Sequence, residues 1–119
     1  MAIKTGKSIK NVIRGDNRQI SCLFLQSDGV TPIDLTNGTV YFTVNSVDDP
    51  SSDSSKAIQK TATTFTDATN GRHTFTLTHD DTNITPGEYW YDVQFVDSLG
   101  NYLSAYRGKF SVQSDITRT

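Results

Sequence analysis

Residues that could hold a metal ion are few and widely spaced in this chain. His73 and His79 are the only histidines, and neither has another histidine, a cysteine or a carboxylate at a spacing that recurs in metal sites. Asp80 and Asp81 follow His79 directly, but adjacent side chains tend to point apart and so do not converge on one ion. We therefore predict no metal site and no bound cofactor.

A catalytic serine or cysteine needs a base and an orienting acid that converge on it in space. The serines lie mostly in turn-like stretches beside scattered aspartates, and the sequence holds neither a nucleophile elbow nor a glycine-rich phosphate loop. Cys22, the single cysteine, stands in an apolar run, where a free cysteine is usually a small buried hydrophobe. These patterns predict that the protein is not an enzyme.

Three short motifs are better explained by turns than by function. Arg14-Gly15-Asp16 matches the integrin-binding tripeptide, but it lies between two predicted strands. Residues 37–39 and 83–85 match the N-glycosylation pattern, yet the N-terminus lacks the apolar segment of a signal peptide. We expect the chain to be made and folded in the cytoplasm, where these asparagines stay unmodified.

Tyrosine and tryptophan are the remaining candidates for binding, and residues 89–96 hold the densest group of them. This stretch, YWYDVQFV after Pro86-Gly87, is bounded by turn residues and is too short for an ordinary helix. Side chains of a strand alternate between two faces, so Tyr89, Tyr91, Val93 and Phe95 should line a core while Trp90 faces outward. We predict that this is the central strand of the fold.

The rest of the chain has the same organisation of short alternating runs between turns. Strands are predicted at residues 8–13, 18–26, 39–47, 56–63, 72–78 and 102–112, with a bulge or bend at Gly108 and one helical turn within 79–87. Residues 48–55 contain no apolar side chain and should form a projecting, flexible loop. The fold class is all-β, an immunoglobulin-like antiparallel β-sandwich of about seven to eight strands over residues 8–113. Residues 1–7 are expected to be a flexible N-terminal segment and residues 114–119 a polar tail.

The distribution of charge and the length of the apolar runs argue against two classes of partner. The formal net charge of the 119 residues is −2, and Lys and Arg are scattered, so no basic stripe for nucleic acid is present. No apolar run approaches the ~20 residues that a membrane-spanning helix needs. We expect neither nucleic acid nor a membrane as a partner.

Taken together, several segments resemble one family. They are VIRGDNRQI, TPIDLTNGTVYFTV, the TNG turn before HTFTLTHDDT, ITPGEYWYDVQFVDSLGN and RGKFSV. In order and spacing across residues 9–113 they resemble the N-terminal immunoglobulin-like domain of phage baseplate upper proteins and related small virion proteins of tailed phages. The resemblance implies a non-enzymatic structural module of a bacteriophage particle, made in the host cytoplasm and located in the virion.

The resemblance leaves the position in the particle open. It implies protein-protein contacts in the tail, baseplate or adaptor region, and a capsid decoration protein on the phage head is an alternative. A carbohydrate-binding surface module is a third, because Tyr and Trp on an otherwise polar sheet face can form a platform for a surface glycan.

The same strand parity suggests where partners bind. If Val93 and Phe95 face inward, Trp90 faces outward, and the neighbouring strand at 39–47 presents Tyr41 on the same face. Large aromatic side chains often anchor protein interfaces. We therefore expect an interface with other phage virion proteins or copies of the same chain, with these contact residues: Trp90, Tyr41, Leu23 and Leu25.

Overall fold

The computed structural model describes residues 4–5, 8–26, 28–46 and 56–115 and consists mainly of β-strands. Each longer strand corresponds to a run of alternating apolar residues between turns, as the sequence predicts. The strands are β1 (Lys4–Thr5), β2 (Ile9–Ile13), β3 (Arg18–Leu23), β4 (Thr39–Asn45), β5 (Lys56–Ala62), β6 (Arg72–Leu77), β7 (Gly87–Val96) and β8 (Tyr102–Gln113).

Two sheets of unequal size form a sandwich. In the larger sheet, β8, β7, β4 and β5 lie side by side, and both β1 and β2 pair with the free side of β8. The smaller sheet contains β3 and β6. This strand order is that of an immunoglobulin-like sandwich, and the predicted all-β fold is confirmed. The pairing is antiparallel throughout the described strands except that β1 and β2 run parallel to β8.

The core lies between the two sheets and is centred on β7. Tyr91, Val93 and Phe95 are buried, which confirms the predicted parity of this strand. Phe42 of β4 lies at the middle of an aromatic cluster, with ring centroids 5.8 Å from Tyr91 and 6.2 Å from Phe110. The smaller sheet contributes buried side chains that cover this cluster, and these are Ile20, Cys22, Phe75 and Leu77.

A short helix, α1 (His79–Thr82), follows the smaller sheet, within the segment predicted to hold a helical turn. Thr78 caps its N-terminus and forms a capping box with Asp81, which satisfies backbone N–H groups that would otherwise lack a partner. Lys60 Nζ of β5 lies 3.0 Å from Asp81 Oδ2. This ion pair therefore ties the edge of the larger sheet to the helix that extends the smaller one.

Of the two irregularities predicted at Gly108, a bulge or a bend, the bulge is wrong, because Gly108 is in regular register opposite Tyr91. The irregularity lies nearer the start of β8: Val93 is opposite Tyr106 and Gln94 is opposite Ser104, so residue 105 is the extra one.

The ends of the predicted domain are described only in part. Residues 4 and 5, within the predicted flexible segment, pair with β8 as β1. Asp115, within the predicted polar tail, accepts a hydrogen bond of 2.8 Å from Arg14 Nε. The predicted loop at residues 48–55 lies outside the described residues.

Candidate functional site

Both histidines make local contacts that hold the fold together. The ring of His73 packs edge-on against Phe65 and Phe75, and burial lowers its pKa. His79 Nδ1 lies 2.6 Å from the backbone oxygen of Gly15, so this ring links α1 to the turn after β2. Within the described part of the chain, His, Cys, Asp and Glu side chains form no group of three that could hold a metal ion.

Cys22 is a buried hydrophobe, as its sequence context predicts. Its side chain lies in the core, and 6% of the residue is exposed. Burial raises the pKa of the thiol to about 11, because the thiolate would lose its hydration there. The thiol is therefore protonated at neutral pH, a state in which it is a poor nucleophile.

The four predicted interface residues lie on two different parts of the molecule. Trp90 and Tyr41 lie on the outer face of the larger sheet, whereas Leu23 ends β3 in the smaller sheet and Leu25 lies in the loop that follows. Trp90 is opposite Asn45 and Tyr41 is opposite Gln94, so the two aromatic residues are four positions apart along the sheet. At the usual rise of a strand this separation is about 13 Å. Trp90 and Tyr41 therefore lie on the same face of the sheet but do not form one cluster.

Tyr41 instead lines a groove on that outer face, which we call the outer groove. It has a volume of about 390 Å³ and runs across β8, β7, β4 and β5. Each of its lining side chains carries an amide, hydroxyl or carboxylate group, and two of them are tyrosines. The lining residues are Tyr41, Thr43, Asn45, Gln59, Asp92, Gln94 and Tyr102.

Strand register arranges the floor of the outer groove in rows. Asp92, Thr43 and Gln59 lie opposite one another across β7, β4 and β5, and Gln94 and Tyr41 form the next row. Gln59 is held from two sides, because its Nε2 donates to Thr43 Oγ1 at 3.3 Å and its Oε1 accepts from Lys56 Nζ at 2.9 Å. The polar groups of the groove are therefore partly oriented before any ligand arrives.

Asp92 is the acidic group of the outer groove. Crowding by neighbouring atoms removes part of its hydration and raises the pKa of its carboxyl group. Arg107, opposite Asp92 on β8, works in the other direction because its positive charge favours the carboxylate. The groove therefore has one acidic side chain with a basic neighbour and otherwise neutral polar groups.

A second surface consists of loops at one end of the sandwich, and we call it the loop end. It contains the loop between β3 and β4 and the turn between β7 and β8. The two connections lie at the same end because Thr39, where β4 begins, pairs with Val96, where β7 ends. Val30 is 78% exposed and Leu99 is 86% exposed, and each lies in one of these connections. Among the described residues, they are the two large aliphatic side chains that are exposed, and covering them would remove apolar surface from water.

Each of these two apolar side chains follows an aspartate that fixes its turn. Asp28 Oδ1 accepts hydrogen bonds of 2.9 Å from the backbone N–H groups of Val30 and Thr31. Asp97 Oδ1 accepts in the same way from Leu99 and Asn101, also at 2.9 Å. The pKa of Asp28 is lowered to about 2, most by the hydrogen bond from the Thr31 hydroxyl and then by these backbone bonds. The pKa of Asp97 is lowered chiefly by hydrogen bonds from Asn101. The fixed turns reduce the entropy that would be lost when a partner covers Val30 and Leu99.

The outer groove and the loop end include residues that the sequence-based prediction missed. Val30 and Leu99 share a signal that could have been found, namely an apolar residue two positions after an aspartate in a glycine-containing turn. Asp92 and Gln94 share the parity of Trp90 on β7, which predicts their place on the outer face, but Gln59 has no such signal because it joins them only through strand register.

No helix among residues 4–5, 8–26, 28–46 and 56–115 is long and apolar enough to cross a membrane. In comparisons with known proteins, the chain matches no protein-family model, no curated protein and no solved structure.

Proposed function

We propose that this protein is a non-enzymatic structural protein of a tailed bacteriophage particle. Its sandwich binds neighbouring virion proteins, or further copies of the same chain, in the tail, baseplate or adaptor region. The identification as a phage protein is supported by the resemblance of residues 9–113 to the baseplate upper proteins. The location in the virion follows from the same resemblance.

The exposed loop end is the observation that carries the proposed contact. Val30 and Leu99 present apolar side chains to solvent from turns that Asp28 and Asp97 hold in place. Exposing such side chains gains nothing for folding, whereas covering them with a partner removes apolar surface from water. By contrast, Trp90 is half-buried, so less of its ring is available to a partner than the sequence-based interface assumed.

The proposal is tested by complementation. Particles are produced from a phage genome that lacks this gene, with the protein supplied as the wild type or as the double variant Val30→Ser, Leu99→Ser. Mass spectrometry of purified particles should find the wild type and show loss of most of the variant, because its apolar contact is gone. Separate analysis of heads and tails distinguishes the proposed tail region from capsid decoration.

Two control variants make the result specific. Gln19→Ser changes an exposed residue of β3 away from the loop end and should incorporate normally. Trp90→Ser tests the rival surface on the outer face. Absence of the wild type from particles would refute the virion role, whereas normal incorporation of the double variant combined with loss of Trp90→Ser would move the contact to the outer face.

A further inference from the structure

The outer groove has a mostly polar lining and so differs in kind from the apolar side chains of the loop end. Its volume of about 390 Å³ lies within the range of small-molecule pockets. None of the described residues that line the groove is aliphatic. A lipid or another apolar ligand would leave the amides and hydroxyls without hydrogen-bond partners, which costs free energy. The groove therefore suits a ligand that is itself rich in hydrogen-bonding groups.

The functional groups narrow the ligand class further. Each side-chain amide of Asn45, Gln59 and Gln94 offers both a donor and an acceptor, which complements hydroxyl groups that also donate and accept. Asp92 accepts hydrogen bonds and disfavours an anionic ligand in its immediate neighbourhood. These groups match a neutral polyhydroxylated molecule better than a phosphate or a carboxylate.

The two tyrosines supply the apolar part of such a site. Tyr102 begins β8 and is 69% exposed, and Tyr41 is half-buried two strands away on β4. A tyrosine ring offers an apolar face and a polar hydroxyl together, and a sugar ring likewise has an apolar C–H face edged by hydroxyls. Strands lie about 4.8 Å apart, and successive side chains on one face lie about 6.6 Å apart, so the lining groups span the size of one or two sugar rings.

We propose that the outer groove is a binding site for neutral carbohydrate, with Tyr102 and Tyr41 as the ring platform and with Asp92, Gln94 and Gln59 as hydrogen-bonding groups. The site lies on the sheet face and the contact proposed at the loop end lies in the turns, and Tyr102 is where the two adjoin. It gives the protein a second activity, the recognition of a glycan. Binding requires neither a particle nor a partner protein.

The test is saturation-transfer NMR on the purified full-length protein. The probes are glucose, galactose, N-acetylglucosamine and maltotriose, with sialic acid as the anionic comparator. We expect transfer to at least one neutral sugar and none to sialic acid. Titration of the positive sugar then gives the dissociation constant for each variant.

Substitutions in the groove test whether the sugar that gives the NMR signal binds there. Tyr102→Ala and Gln94→Ala should each weaken binding about tenfold or more, because each removes a direct contact. Thr61→Ala serves as a control, since Thr61 is exposed beside Tyr41 on β5 but does not line the groove, and it should bind normally. Far-UV circular dichroism verifies that each variant is folded.

Three outcomes would overturn the proposal. The first is no transfer to any neutral sugar, and the second is binding that neither groove variant weakens. The third is a concentration-dependent dimer that Tyr102→Ala abolishes in the absence of sugar binding, since the groove would then be an interface between copies of the chain.

Discussion

Replacing Phe95 by alanine tests the packing at the centre of the sandwich. Phe95 is 1% exposed, and its ring centroid lies 6.1 Å from that of Phe24, so the side chain joins β7 to the segment after β3. Truncation of a buried phenylalanine typically costs about 3–5 kcal/mol in the free energy of unfolding. A domain of 119 residues has a total of roughly 6–18 kcal/mol at the usual stability per residue. Phe95→Ala should therefore remove a large share of the stability.

The measurement is urea denaturation followed by circular dichroism, with the midpoint and the slope fitted separately. Tyr102→Ala is the matched control, because it removes an aromatic side chain that is exposed, and it should change the unfolding free energy by about 0.5 kcal/mol or less. A loss below about 1 kcal/mol for Phe95→Ala, or equal losses for both variants, would show that the assignment of inner and outer faces is wrong.

One further variant, Gly38→Ala, and one measurement, the reactivity of Cys22, test the same core. In Gly38→Ala, the new Cβ would lie 2.7 Å from Phe95 Cζ and 2.8 Å from the backbone oxygen of Val96, so we expect a loss of about 1–3 kcal/mol in urea denaturation. A smaller loss in a Phe95→Leu background would attribute part of the clash to the ring, and no loss in the wild-type background would contradict the close approach. Cys22 should react with a thiol reagent at pH 8 only when denaturant unfolds the chain, because its pKa is about 11 and its side chain is buried; equal rates in native and denatured protein would contradict this.

The fold was predictable because burial determines the sequence of each strand on at least one face. Val40, Phe42 and Val44 alternate with polar or half-buried residues, and a pattern of period two identifies both the strand and its inner face. Cys22 followed from the same reasoning, since it shares parity with Ile20. Where a strand faces the core, each position is constrained by what it must pack against.

The bulge in β8 was missed even though the sequence contains a trace of it. Leu103 packs against the core at an odd position, whereas Phe110 and Val112 are buried at even positions. A strand can switch parity in this way only if an extra residue lies between them, which is where residue 105 is found. We assigned the irregularity to Gly108 from residue type alone, and comparison of the buried positions would have corrected it.

The two proposed binding surfaces were harder to predict because folding does not require them. The outer face of the larger sheet has no covering strand among the described residues, so its side chains are free of the packing constraint that makes a core recognisable. Asp92 and Gln59 lie on different strands and share a row only because both pair with Thr43. The sequence does not give the pairing of the strands, so it cannot place these two residues together.

The unequal sheets explain how one small domain can support two contacts. Among the described strands, β3 and β6 cover the inner face of the larger sheet and close the core, and no strand covers the opposite face. That face combines tyrosines with amides, although simpler polar side chains would satisfy a solvent-exposed strand equally well. The loops that carry Val30 and Leu99 lie at one end of the strands, and the groove extends from Tyr102 at that end along the sheet to Asn45. Under the two proposals, the loops at one end bind the particle and the adjoining sheet face binds carbohydrate.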